Sequence, residues 1–219
     1  MSTEPAWQRA RKPSQVKVRT EEILNAAKRL FATLSYDEVS LNAIAREAGM
    51  SKPNIYRYFA SREEIFLMIL REEQGVFVQR LSGSLRAMSS PVTAEVVVEA
   101  WLDAALGCPD LLALLPQLGT SLERNSSLEQ LVAYKKETFA GGLALAELHR
   151  SIYPRLDLDT WMEVINASVG LLAGLWPLCN SNDTMEQAMR HPEVGLEPWN
   201  FSKMMRFAMK ALISGAAPT

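Results

Sequence analysis

Apolar residues recur at three- and four-residue spacing along nearly the whole chain, the signature of amphipathic helices. Residues 20–34 place Ile23, Ala27, Leu30, Phe31 and Leu34 on one face. Thr20 is the expected N-cap, with Glu21 and Glu22 in a first turn where the helix dipole favours anions. Leu41, Ile44, Ala45 and Ala48 predict a second, short helix that stops at Gly49, and a third runs from near Ser51 to Phe59. Ser61-Arg62-Glu63-Glu64 is a capping box that opens a long helix to about Met88. Past the breaker Ser89-Ser90-Pro91 the periodicity continues over 92–107, 110–123, 127–150, 159–178, 183–190 and 200–214. No segment alternates with period two and no internal repeat is visible, so the fold class is all-α.

Residues 164–182 carry no charge, which raises a membrane span. Asn166, Ser168 and Pro177 interrupt the run and leave an apolar stretch short for a bilayer, which needs about 20 residues. A buried helix is the expectation, and no membrane partner is expected. The opening MSTEPAWQRARKPSQ has no apolar core, so no secretory leader is expected. Two cysteines in 219 residues are too few for a disulfide framework and fit a reducing compartment. Net charge is −2 overall but unevenly placed. Residues 1–62 hold 11 Lys/Arg against 6 Asp/Glu, and residues 63–219 hold 12 against 19. A head of net +5 on a body of net −7 points to a polyanion partner for the head.

Within that head, residues 39–62 read VSLNAIAREAGMSKPNIYRYFASR. Two short helices joined at a glycine, apolar only where they face each other, form a helix-turn-helix pattern. Pro53 falls in the first turn of the third helix, where a missing N–H costs nothing. Over about residues 18–75, the stretch resembles the DNA-binding domain of the tetracycline-repressor (TetR) family of bacterial transcriptional regulators. The match includes the first helix ending in Phe31, the IAREAGMSKPNIYRYF core and the SREEIF start of the fourth helix. Two positions depart from it: Pro53 stands where a small residue is common, and Arg62 where Lys is usual.

The resemblance implies a recognition helix at about 51–57. Asn42, Lys52, Pro53 and Asn54 are then the candidates for base edges, since Asn pairs with adenine and Lys reaches guanine O6 and N7. Ser40, Tyr56, Tyr58 and Arg62 are the candidate phosphate contacts, with the tyrosine rings alternatively part of the core. Arg9, Arg11, Lys12, Lys17 and Arg19 form a basic arm, read either as tracking DNA or as a solubilising tail.

The resemblance further implies a homodimer formed by the last two long helices, with Ala167, Gly170 and Gly174 as the candidate close-contact face. It implies an effector cavity among helices spanning about 92–178, with candidate lining residues Trp101, Leu118, Leu122, Phe139, Leu143, Ile165 and Trp176. Glu123, Asn125, Asn166 and His149 are candidate polar anchors, and the acidic body favours a neutral or cationic ligand over an anion. The expected division is an arm at 1–17, a DNA-binding domain at 18–75 (helix-turn-helix about 40–59) and an effector and dimerisation domain at 76–219.

No nucleophile elbow, HExxH, P-loop or GxGxxG motif is present, so no enzyme and no cofactor are expected. His149, His191, Cys108 and Cys179 lack metal-ligand spacing. The reading is a cytoplasmic, homodimeric regulator, a repressor released from a palindromic operator on double-stranded DNA by an apolar small molecule. The alternative is a helical ligand-binding or protein-interaction module that does not bind specific DNA.

Overall fold

A computed structural model describes residues 13–180 and 182–217, and among them every regular element is helical. The elements are α1 (Pro13–Phe31), α2 (Leu41–Glu47), α3 (Lys52–Ile55), α4 (Arg62–Arg86), α5 (Ala94–Leu106), α6 (Pro109–Leu114), α7 (Leu128–Ile152), α8 (Leu158–Cys179), α9 (Asp183–Arg190) and α10 (Phe201–Ala216).

The head packs α1 against α2 and α4, with α3 laid on α2. Ile23, Ala27, Val39, Ile44, Ile55, Ile65 and Phe66 are completely buried there. Phe31 and Tyr36 meet the Phe66 ring edge-on, at centroid distances of 5.5 and 5.0 Å. Gly49 turns the chain between α2 and α3 at φ +64°, a conformation that a Cβ would strain.

α1 starts seven residues before the expected Thr20 and ends at Phe31, leaving Leu34 at 36% exposure. Polar residues of good helix propensity carry the helix back to Pro13, which is tolerated in a first turn. Glu21 and Glu22 therefore sit mid-helix and pair with Lys17 (3.9 Å) and Arg19 (2.5 Å). Lys17 belongs to the helix, and Arg9, Arg11 and Lys12 of the expected arm lie outside the described residues.

In the body, α4 packs on α5, α6 and α7, α8 on α7 and α10, and α10 on α5. The helix expected over 110–123 is broken into three. Pro116 has no N–H to donate, so α6 gives way to a 3-10 turn, Leu115–Gln117, and a π-helical turn, Leu118–Leu122. By length and composition α8 is long and apolar enough to cross a membrane, a stretch longer than the sequence pattern suggested. Here it packs between α7 and α10.

At the centre of the body, the Trp101, His149 and Trp161 rings meet at tilted angles, all almost fully buried. Trp101 Nε1–H donates to His149 Nε2 at 2.9 Å, which requires the other ring nitrogen to carry the proton. That Nδ1–H donates to the Leu145 carbonyl at 2.7 Å. With no acceptor for a second ring proton, burial pushes the His149 pKa down to about 4 from 6.5.

A neutral buried histidine has a measurable consequence. Between pH 6.5 and about 4, the unfolded chain binds a proton at His149 that the folded chain excludes. Its contribution is whole above pH 6.5 and is lost as pH falls, at up to about 1.4 kcal/mol per pH unit. Urea unfolding in steps across that window should show this slope, and His149→Gln should flatten it.

Candidate nucleic-acid interface and effector cavity

The helix-turn-helix surface is built from local capping. Ser40 caps α2, its Oγ accepting from the Ala43 N–H at 3.1 Å, while the residue itself stays exposed. Asn42, Lys52, Pro53 and Arg57 are exposed, Asn54 is half-buried, and Ile55 anchors α3 in the core. Tyr56 is 50% exposed, whereas Tyr58 is half-buried against the hydrophobic core beside α1. Only four residues of the expected third helix are α-helical, and a turn carries the chain on to Phe59.

Arg62 is placed differently from its expected role. Its Nη1 donates to the Tyr36 and Val39 carbonyls at 3.0 and 2.8 Å, its Nε meets Glu63 at 2.9 Å, and the guanidinium lies 4.6 Å from the Tyr36 ring centroid. The side chain closes the α1–α2 loop onto α4 and is only 22% exposed. An arginine at this position can make two carbonyl bonds and stack at once, which a lysine cannot.

The expected capping box is half formed. Ser61 Oγ accepts from the Glu64 N–H at 3.2 Å, but the Glu64 carboxylate accepts from Ala60 N–H (2.8 Å) and Ser127 N–H (3.0 Å). Ser61 Oγ donates to the Asn125 carbonyl at 2.9 Å, and the Tyr36 and Ser121 hydroxyls meet at 2.9 Å. These three contacts join the head to the π-helical turn and the loop that follows it. Lys28 of α1 adds ion pairs to Glu72 and Glu73 of α4, at 3.1 and 3.0 Å.

A cavity of about 250 Å³ lies between α4, α7 and α8, floored by Phe77, Val78, Trp101, Leu111, Leu115, Leu145, Ile165, Val169 and Leu172. Gly75, Gly141 and Gly142 line it from α4 and α7, and a Cβ built on Gly75 would meet nothing within 4 Å. Arg71, Gln74, Glu137 and Thr138 stand together on its polar side. Of the expected lining, Trp101 and Ile165 are there, with Asn166.

The others lie elsewhere. Leu122 is fully buried outside the cavity and Leu118 is half-buried in the π-helical turn. Phe139 is 64% exposed on the outer side of α7, Leu143 is half-buried, and Trp176 packs edge-on against Phe201 at 5.1 Å. Glu123 is ion-paired with Lys135, Asn125 Nδ2 donates to the Ser121 carbonyl, and His149 is sealed behind Trp101. The signal that could have found the cavity is the set of glycines inside α4 and α7, each costing about 1 kcal/mol relative to Ala in a helix.

Ala167, Gly170 and Gly174 are exposed along α8. The first two, with Leu171, line a shallow groove whose other side is Ala208, Ala211 and Leu212 of α10. Added Cβ atoms on Gly170 and Gly174 would meet open space, and Phe207 nearby in sequence is 78% exposed.

The family model of bacterial regulatory proteins, tetR family, matches residues 23–69, and that of the tetracyclin repressor-like C-terminal domain matches residues 71–219. The fatty acid metabolism regulator protein of Bacillus subtilis is 27% identical over 108 residues, 49% of this chain and 54% of that protein. The regulator HbdR of Aromatoleum is 30% identical over 80 residues, 36% and 35% of the two chains. This chain thus spans about a third to a half of the length of these relatives.

Among solved structures, Thermus thermophilus FadR in complex with lauroyl-CoA superposes with a TM-score of 0.61 at 15% identity, covering 91% of this chain and 96% of that one. Bacillus subtilis FadR in complex with stearoyl-CoA gives 0.52 at 17%, covering 89% and 98%. At these identities the two structures share the fold. The family and these relatives are regulators of transcription, not enzymes.

The clamp formed by Arg62 separates stability from DNA affinity. Arg62→Ala strands two carbonyls and should destabilise the head by about 1–3 kcal/mol without any DNA present. Thermal unfolding and amide exchange across α1–α4 are the measurements. Unchanged stability with weakened duplex binding would return Arg62 to a phosphate-contact role.

Proposed function

The chain belongs to the tetR family of bacterial regulatory proteins, and from that premise we propose a homodimeric, DNA-binding transcriptional repressor released by a small, mostly apolar effector. It acts in the cytoplasm on double-stranded operator DNA. The α2–α3 unit reads the major groove, with Asn42, Lys52, Pro53 and Asn54 toward base edges and Ser40, Tyr56 and Tyr58 toward phosphates. Exposure of Lys52 and Pro53 beside the buried anchor Ile55 supports this assignment. The working division is an arm at 1–17, a reading domain at 18–75 and a sensing and dimerising domain at 76–219.

The observation that carries the reading is one continuous helix. α4 holds the head through Arg62 and Glu64 in its first turn and lines the cavity through Arg71, Gln74 and Phe77 farther along. Leu111 and Leu115 also line the cavity, just ahead of the π-helical turn whose Ser121 bonds Tyr36 of the head. A ligand in the cavity therefore touches both elements that seat the head. It shifts the dimer between a spacing that fits successive major grooves and one that does not. The apolar floor and the relatives solved with lauroyl-CoA and stearoyl-CoA support an effector with a hydrocarbon part.

The open face of α8 and α10, where Gly170 and Gly174 leave room for a second copy's backbone, supports dimerisation there. A two-fold dimer presents two reading units and requires a near-palindromic site.

Two measurements test this reading. Lys52→Ala or Asn54→Ala should cost about 1–3 kcal/mol on the preferred operator and relax base choice there, while random duplex binding changes much less. Failure to find any salt-dependent duplex affinity would favour a ligand-binding module that does not use DNA. Gly170→Leu adds bulk where the single chain has open space, so its helicity should hold while sedimentation shows loss of the dimer. A variant that stays dimeric would move the interface off this face.

A further inference from the structure

Among the described residues, the charged pair on the polar side of the cavity is Arg71 and Glu137, and they are unequal partners. Arg71 Nε lies 3.3 Å from Glu137 Oε2. The arginine side chain is 28% exposed and comes from α4, whereas the glutamate is 61% exposed on α7. Exposed ion pairs contribute little, so Glu137 is held weakly and leaves into water at small cost. Among the described residues, Glu137 is the one ion-pair partner of Arg71. Gln74 brings no charge to an oxyanion, and its amide is engaged with the Tyr134 hydroxyl at 2.9 Å and with Thr138 Oγ1 at 3.3 Å.

A guanidinium whose partner is a solvated glutamate, itself half-buried beside an apolar floor, is matched by the paired oxygens of a carboxylate or phosphate. A cationic head would instead sit beside Arg71 with only the solvated Glu137 to balance it. We propose that the effector is an amphipathic anion, whose hydrocarbon part lies against Phe77, Trp101 and Ile165 and whose oxyanion head takes the Arg71 fork and displaces Glu137. This rests on the cavity being the effector site. It reverses the preference drawn from the net charge of the body, because the two charged residues that line the cavity act on a ligand at contact distance and the others lie behind the lining.

The inference also gives Arg71 a part in the response. It lies on α4, the helix that carries Arg62 and Glu64 at its start, so a head group held by Arg71 pulls on the element that seats the reading head.

The test uses the full chain and four probes with the same hydrocarbon tail: decanoate, decyl phosphate, decanol and decylammonium. Titration calorimetry, with tryptophan emission, to which the cavity-lining Trp101 contributes, as a second signal, gives each affinity. The two anions should bind at least about tenfold tighter than decanol, with decylammonium weakest. Glu137→Gln removes the competing carboxylate and should tighten the anions about threefold or more without altering decanol. Arg71→Gln should bring the anions down to decanol or below, with the decanol affinity itself reporting that the cavity is intact. The tighter of the two anions identifies the head as carboxylate or phosphate.

Decylammonium as the tightest probe, or weaker anion binding in Glu137→Gln, overturns the proposal. Equal binding of all four overturns the choice of head while leaving the cavity as the effector site. Binding of none overturns both.

Discussion

The Glu64 carboxylate is only 5% exposed, and a carboxylate out of water has to be met by donors. Its donors come from opposite sides: the Ala60 N–H from the turn after α3, and the Ser127 N–H from the loop ahead of α7. Separating head and body at this point would break the Ser127 bond and let water in on the carboxylate. The neighbouring contacts follow the same seam, with Ser61 on Asn125 and Tyr36 on Ser121. The orientation of the helix-turn-helix is therefore fixed by short polar bonds to one loop of the body, with the apolar contacts of α4 behind them.

That loop exists because of a proline. Pro116 ends the α6 path, and the 3-10 and π-helical turns after it deliver Ser121 and Asn125 to the head. Leu111 and Leu115 on the cavity side and Ser121 on the head side lie within eleven residues of one another. Such a segment, made of short 3-10 and π-helical turns and not of a continuous helix, is a natural hinge between cavity and head. α4 provides the stiff counterpart, running unbroken from the head clamp past the cavity.

Much of this was legible in the sequence. Apolar periodicity placed α2, α4, α5, α7, α8, α9 and α10 to within a few residues, and Ser61 caps α4 as its motif indicated, while the side-chain caps Ser40, Thr93, Asp157, Asn182 and Asn200 emerge only in the structure. The errors have physical causes. α1 extends through a polar stretch because exposed helix needs no apolar stripe, and the 110–123 helix fails at a proline that the apolar pattern masks. Arg62 and Glu64 could not be assigned from spacing, since their partners are backbone groups 23–26 and 63 residues away. Aromatic residues proved a poor guide to the cavity: Trp176 and Phe139 lie elsewhere, while glycines on two helices open the space.

Those glycines have an evolutionary consequence. The cavity is made partly by missing side chains at 75, 141 and 142, without the helices having to move apart. Glycine codons are one nucleotide from alanine codons, and each such change in mid-helix favours folding by about 1 kcal/mol. A lineage can therefore reshape what the cavity admits by single base changes that tend to strengthen the scaffold. Ligand preference in this architecture can drift without first crossing a stability deficit, and an open cavity persists only while selection for its occupant opposes that drift.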